Sequence, residues 1–413
     1  MRTFLTLEEA WESTLSFVKR VAAEDVSLTD AYGRVLAEQV TAQAHVPPFD
    51  RSALDGYAVR AADVAGATPS TPVELTVIEE VPAGRVPERV VGAGEACRIM
   101  TGAPIPVGAD AIVRQEGTER KGDTVRVLLE VPAGEAVSRQ GEDAPQGTLL
   151  LEAGVVIGAA ETTVLASNGA ATVSVYRRPR VGILVSGEEV QALEGDLEPG
   201  QIRDSNGPML AALVRDLGGE PISYGRIGDQ MEDTVTLLQK MAVECDLILT
   251  TGGVSVGDYD LMRDAYGQAG GTVHFWKVTL RPGTPIVFAD IGGVPVWGLS
   301  GNPAAAFVNF ELLVKPVLRK MRGDRQPELR PVQAMLGNDI EAKVIGLDRF
   351  LRTHLTVTDG TLTAHVPNSG QKAAIITSLL NIQGLVRIQA RKTVKQGSLV
   401  DVYPLGDTLR TNR

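Results

Sequence analysis

The chain has 413 residues, 44% hydrophobic and 22% charged, which is long enough for more than one core and ordinary for a soluble fold. A formal charge of −11 argues against wholesale nucleic-acid or membrane binding, so an anionic ligand has to be met by local cations and backbone amides. Cys97 and Cys245 are the only cysteines, which excludes a disulfide framework and cysteine zinc motifs. With no secretory h-region after Met1 and no apolar run of membrane-spanning length, a reducing cytoplasm is the expected home.

Up to about residue 44 the pattern is helical. Leu7, Ala10, Trp11, Leu15 and Val18 recur at helical spacing, and Thr6 with Glu9 forms a capping box. Val46-Pro47-Pro48-Phe49 breaks this pattern. From about 50 to 143 Gly, Pro and Val are frequent, and Val73–Val77, Ala111–Gln115 and Thr124–Leu129 are strand runs of a small β domain. Helix and strand return over 144–178. The expected domains are 1–44 with 144–178, an inserted β domain at 45–143, an α/β domain at 179–326 and a C-terminal β domain at 327–413, barrel-like in form.

From Arg180 strands and helices alternate. Val181–Val185 is a buried-strand run, and Ser205 or Asn206 is placed to cap a helix ended by Gly218-Gly219. Pro221–Ile227 reads as strand, Glu232–Val243 as helix and Asp246–Thr250 as strand. Residues 259–269 read as helix, Thr272–Leu280 and Pro285–Phe288 as extended. Val294–Leu299 leads into Ser300-Gly301-Asn302-Pro303 and a long helix, with Pro303 in its first turn and Pro316 as a kink site. This rhythm predicts a three-layer α/β/α domain around a mostly parallel sheet.

In such sheets ligands bind outside the carboxyl ends of the strands. Polar loops follow strands there at Ser186–Glu189, Gly228-Asp229, Thr250–Asp260 and Ser300–Pro303. Thr251-Gly252-Gly253 and Gly301-Asn302-Pro303 pair small residues with a following helix, a combination whose free amides can cradle an oxyanion. A glycine in one loop is explained by a tight turn alone; several converging loops favour a site. They also bring carboxylates: Glu189, Asp229, Asp258 and Asp260. Two carboxylates about 4 Å apart repel by roughly 4 kcal/mol at an effective dielectric of about 20. Such a cluster needs a cation, a basic partner or a shared proton, and hard oxygen donors point to Mg²⁺. For any single one of these acids, a helix cap or a solvated turn is as good an explanation. Lys277, Arg281 and Arg352 are candidate counter-charges for an anionic substrate. Gly253-Val254-Ser255-Val256-Gly257 fits a nucleophile elbow in spacing, but Gly257-Asp258 prolongs the loop where that motif enters a helix. No Walker A run or dinucleotide fingerprint is present.

With these residues in view, the chain resembles the molybdopterin molybdenumtransferase family, which includes the MoeA proteins and the E domain of gephyrin. The motifs are Pro48-Phe49-Asp50-Arg51-Ser52-Ala53-Leu54-Asp55-Gly56-Tyr57-Ala58, Arg98-Ile99-Met100-Thr101-Gly102-Ala103-Pro104 and Gly141-Glu142-Asp143. They continue with Asp204-Ser205-Asn206, Thr251 to Asp258, Phe275-Trp276-Lys277 and Gly301-Asn302-Pro303. The resemblance implies a four-domain homodimer of molybdenum cofactor synthesis. Its substrates would be adenylylated molybdopterin and molybdate, its cofactor Mg²⁺ and its leaving group AMP. It implies Glu189, Asp229 and Asp260 as metal ligands, and these with Asp55 as the catalytic acids. The substrate contacts it implies are Thr101, Ser186, Asp204, Asn206, Gly252, Gly253, Ser255, Lys277, Arg281, Asn302, Pro303, Arg352 and Lys372. Family analogy places the cleft between the α/β domain of one subunit and the small domains of its partner, and suggests contact with the adenylyltransferase of the same pathway.

The sequence departs from the family pattern at Arg281 and Thr284, where lysines are common, at Ser300 in place of proline, and at Ala373 in place of serine. Other readings stand beside the leading one. These are a molybdopterin adenylyltransferase, which the flanking domains argue against, and a divergent paralogue acting as a molybdopterin-binding scaffold or taking tungstate.

Overall fold

The structure is a computed structural model, and it describes residues 1–228, 230–253 and 261–406. The chain divides into two compact units: Met1–Ala37, Gly154–Ile157 and Val173–Arg413 in the first, Glu38–Ala153 and Gly158–Thr172 in the second. Among the described residues no helix is long and apolar enough to cross a membrane.

The first unit is built on a seven-stranded sheet. Its order is Arg2–Leu5, Gly271–Val278, Val287–Ile291, Val294–Leu299, Leu247–Thr251, Arg180–Ser186, Glu220–Ile227. All neighbours are parallel except Val287–Ile291, which runs antiparallel to both of its partners. The central strands Arg180–Ser186 and Leu247–Thr251 are buried almost throughout, as expected for strands covered on both faces. Helices Leu7–Phe17, Asn206–Asp216 and Pro303–Asn309 pack on one face, around Leu210, Phe275, Phe288 and Trp297. Helices Met231–Glu244 and Leu261–Gln268 cover the other, around Leu238, Met241, Met262 and Tyr266. This is the three-layer α/β/α arrangement with a mostly parallel sheet.

The first helix forms where its capping box starts it: Thr6 Oγ1 accepts the Glu9 N–H and Glu9 returns the bond to the Thr6 N–H at 2.8 Å. Helix does not continue to residue 44, however. Ala23–Ser27 is a strand paired with Thr172–Tyr176, a partner some 150 residues away that no local periodicity reveals. The last helix of the sheet domain is interrupted by a wide π turn at Phe310–Val314, just before Pro316. Pro316 has no N–H to give to the carbonyl four residues back, that of Leu312. The indole N–H of Trp11 donates to that carbonyl at 2.6 Å, so the first helix completes the last one.

The extended run expected through Thr272–Leu280 is split between two sheets. Gly271–Val278 stays in the seven-stranded sheet, while Leu280–Arg281 pairs in parallel with Asp348–Arg349. That contact joins the sheet to a closed five-stranded barrel of Asp348–Thr358, Thr361–His365, Val332–Leu336, Leu399–Pro404 and Gly384–Ile388, with Asp348–Thr358 and Gly384–Ile388 closing the ring. Leu351, Val386, Ile388, Val400 and Val402 fill its interior.

The second unit centres on a six-stranded sheet in the order Ala111–Arg114, Gly56–Val59, Glu95–Ile99, Val73–Val81, Thr124–Val127, Thr118–Lys121. Its neighbours are antiparallel except for Val73–Val81 against Glu95–Ile99.

Candidate functional site

Four strands of the seven-stranded sheet end side by side. The register pairs Val185 with Thr251, Ser186 with Ile227 and Thr251 with Leu299, so the loops that follow these strands leave from one edge. Close backbone approach follows from this. Gly252 adopts φ +91, and a side chain there would overlap the Ser186 carbonyl oxygen. Gly253 adopts φ +64, and a Cβ on it would lie 2.8 Å from Met262 Cγ. Only glycine meets both demands at Gly252, the conformational and the steric one.

Asn206 ties the loops together. It is buried at the first turn of its helix, and its side-chain amide donates to Thr251 Oγ1 at 2.7 Å and to the Gly301 carbonyl at 2.9 Å. Thr251 Oγ1 in turn donates to the Ser300 carbonyl at 3.0 Å. The Asn206 carbonyl oxygen is buried and has no partner among the described residues, which leaves one acceptor for a ligand or water. The expected cap at Ser205 or Asn206 is supplied one residue earlier: Asp204 Oδ1 accepts the Gly207 N–H at 2.8 Å. Asp204 is thus committed to the helix start.

At the Ser300–Pro303 loop, Ser300 Oγ accepts the Asn302 N–H at 3.3 Å, and the Asn302 carbonyl takes the Ala305 and Ala306 N–H groups. Ser300 therefore closes its own turn. The first amide after Pro303, that of Ala304, already donates to the Ala373 carbonyl at 3.0 Å. That amide of the helix start is therefore taken by the backbone at Ala373.

Arg352 is the largest surprise of the counter-charges. It is fully buried on the barrel strand, and its Nη2 donates to the carbonyls of Gly370 at 2.7 Å and Lys372 at 3.2 Å. Its Nε and Nη1 have no partner among the described residues, and burial lowers its pKa from the ordinary arginine value. The exposed Lys372 contributes a carbonyl to this arginine. Arg281 is exposed at the end of the short strand paired with the barrel. Behind the Arg281–Thr284 turn, Gly283 at φ +98 packs so tightly on Asn309 that a Cβ would overlap the Asn309 amide. Both amide atoms of Asn309 are buried without partners among the described residues. Nothing in the sequence singled out Asn309, one polar residue inside an apolar helix. Thr284 donates to the Leu280 carbonyl at 2.6 Å and locks this turn. Lys277 lies with its ammonium against Trp276.

Of the three expected metal ligands, Glu189 is exposed just beyond the strand end, its carboxylate curled back to 2.8 Å from where a Gly187 Cβ would stand. Asp229 and Asp260 lie outside the described residues, as do Ser255 and Asp258. Among the described residues no group of three His, Cys, Asp or Glu side chains is arranged to hold a metal.

In the second unit, Asp55 Oδ1 accepts both the Thr101 N–H at 2.7 Å and the Thr101 hydroxyl at 2.8 Å. These bonds, the backbone one foremost, hold the exposed carboxyl below the usual aspartate value. The two residues are 46 apart in sequence and are joined by one donor pair.

Comparison with known proteins bears on the whole chain. The model of the MoeA N-terminal region (domain I and II) matches residues 5–169, and that of the probable molybdopterin binding domain matches residues 182–320. The chain is 38% identical over 389 residues to the molybdopterin molybdenumtransferase of Bacillus subtilis (strain 168), covering 93% of this chain and 90% of that one. It is 35% identical over 404 residues to the protein of the same name from Staphylococcus epidermidis, with 97% and 96% covered. Among solved structures, the molybdopterin biosynthesis moeA protein from Pyrococcus horikoshii OT3 superposes with a TM-score of 0.84 at 33% identity, over 97% of this chain and 100% of that one.

Proposed function

The chain belongs to the molybdopterin molybdenumtransferase family, an enzyme family of molybdenum cofactor biosynthesis, and from that membership we propose a Mg²⁺-dependent insertion of molybdate into adenylylated molybdopterin with release of AMP. The proposed protein works as a cytoplasmic homodimer. The observation that supports this reading best is the Asn206 junction, where one buried amide joins Thr251 to Gly301 and its carbonyl oxygen, at the edge where the strands end, has no partner among the described residues.

The residue types fit the roles proposed for them. Glu189 offers a hard, exposed oxygen donor, and with Asp229 and Asp260 it makes an all-carboxylate set suited to Mg²⁺ and not to a softer metal. When bound there, the ion supplies charge neutralisation at the phosphoanhydride. The rest of the work falls to positioning by the chain's own residues. Ser186, Asp204, Asn206, Gly252, Gly253, Asn302 and Pro303 shape the strand-end loops for the pterin nucleotide, and Ser255 is proposed as a further contact to it. Arg281, Lys277 and Lys372 meet its anionic groups and molybdate, with Arg352, bonded to the Lys372 carbonyl, as a buried positive charge. Asp55, held ionised by Thr101, acts as a carboxylate and not as a proton donor.

The test is direct. Purified protein is supplied with adenylylated molybdopterin, Mg²⁺ and molybdate, and both AMP and active cofactor are measured. Tight pterin binding without AMP release overturns the transferase reading.

A further inference from the structure

One edge of the seven-stranded sheet carries a distortion shared by two strands. Thr3 pairs with Trp276 and Leu5 with Val278, so Phe4 and Lys277 fall opposite one another. Both are left-handed, at φ +55 and φ +70, a conformation that bulky L residues rarely adopt. The consequence is geometric. In a regular strand Trp276 and Lys277 would point to opposite faces of the sheet. The left-handed step at residue 277 instead brings the Lys277 Nζ to 3.6 Å from the centroid of the Trp276 ring and 5.3 Å from that of Phe4.

Among the described residues the charge is thereby placed without being neutralised. An aromatic face attracts an ammonium through its quadrupole and offers no anion to compete with a ligand. Among the described residues Lys277 has no carboxylate partner; Arg263, whose guanidinium lies 5.2 Å from the centroid of the same indole, is by contrast paired with Asp264 at 3.8 Å. The backbone on either side is fixed to the turn that carries Arg281: Lys277 N–H donates to the Ile286 carbonyl at 2.9 Å, and Val278 N–H to that of Thr284 at 3.2 Å. Phe4 is 53% exposed, so burial of its own ring gives little reason for the strain at this position.

We infer that Phe4 and Trp276 are positioning residues for Lys277, an aromatic seat that pre-organises its ammonium for an anionic group of the pterin nucleotide. This rests on Lys277 being a substrate contact, as in the proposed function.

The experiment is a double-mutant cycle in the full chain, read as equilibrium affinity for adenylylated molybdopterin. Phe4→Leu keeps apolar cover and removes the ring; it is expected to weaken binding roughly three- to thirtyfold, the range of a cation–π contact. In the Lys277→Met background the same substitution is expected to change nothing further. Phe4→Tyr, which keeps an aromatic face, is expected to retain wild-type affinity, a rescue that a merely structural role in the strand would not require. If Lys277→Met binds as tightly as wild type, the assignment of Lys277 as a substrate contact fails. If Lys277→Met weakens binding but Phe4→Leu has no effect, or the same effect in both backgrounds, the aromatic seat fails and Lys277 stands. Loss of affinity in Phe4→Tyr equal to that in Phe4→Leu also overturns the seat.

Discussion

Trp11 and Leu312, 301 residues apart, share a 2.6 Å hydrogen bond that exists because Pro316 cannot serve the Leu312 carbonyl. Trp11→Phe keeps most of the ring's packing and removes the donor. A buried carbonyl left unserved costs about 1–3 kcal/mol, so denaturant unfolding should show a loss of that order. In a Pro316→Ala background residue 316 regains an N–H, and the loss on Trp11→Phe should shrink. An equal loss in both backgrounds would show that the indole N–H is not compensating for the proline.

Gly252 and Gly301 are neighbours with opposite tolerances. A Cβ on Gly252 overlaps the Ser186 carbonyl and sits on a backbone at φ +91, whereas one on Gly301 would meet the Gly252 backbone at ordinary contact distances, its Cα at 3.5 Å and its N at 3.9 Å. Gly252→Ala should destabilise by at least about 2 kcal/mol and abolish turnover. Gly301→Ala should fold with a thermal midpoint close to wild type. Calorimetry on the pair checks this, and similar midpoints for both variants would contradict it.

Asp55 has a depressed pKa, so its bonds to Thr101 stabilise the folded state fully above the unfolded carboxylate value, near about 3.9, and that contribution is lost as pH falls through the lower folded value. Thr101→Val removes the hydroxyl donor and keeps the backbone one, so the Asp55 pKa should rise part of the way towards normal. NMR titration of the Asp55 carboxyl carbon reads this; an unchanged midpoint would assign the depression to the backbone N–H alone.

Under the proposed function, removing Mg²⁺ with a chelator should stop AMP release and leave the protein folded, with activity restored on re-addition. Asp229→Ala and Asp260→Ala should each abolish turnover without loss of dimer, and Glu189→Gln should raise the Mg²⁺ concentration needed for half activity by about tenfold or more. Unchanged turnover in both aspartate variants would remove the metal assignment.

Where a signal is local, the sequence carried it. The capping box at Thr6 and Glu9 started a helix where expected, and the apolar runs at 181–185 and 294–299 lie within Arg180–Ser186 and Val294–Leu299. Pairing over long separations was not legible, so Ala23–Ser27 read as a continuation of the helix when its partner is Thr172–Tyr176. Side-chain commitments were equally hidden. The spacing of Asp204-Ser205-Asn206 places three polar residues at a helix start, but not that Asp204 caps it while Asn206 reaches across to Thr251. Arg352 reads as a free cation because charge says nothing of burial, and its Nη2 serves two carbonyls. A left-handed Phe4 has no sequence signature at all; glycine or asparagine would have suggested one.

The strand Arg2–Leu5 completes the seven-stranded sheet by pairing with Gly271–Val278. Among the described residues its one neighbour in the sheet therefore lies roughly 270 residues further along the chain, and is synthesised after it. Until that neighbour emerges, Leu5 and the apolar face of the helix behind it have no finished surface to cover. Pairing over so long a separation carries a large loop-closure cost, so the docking of Arg2–Leu5 onto Gly271–Val278 is expected to be a slow step of folding, with the unpaired segment open to chaperones until it is complete.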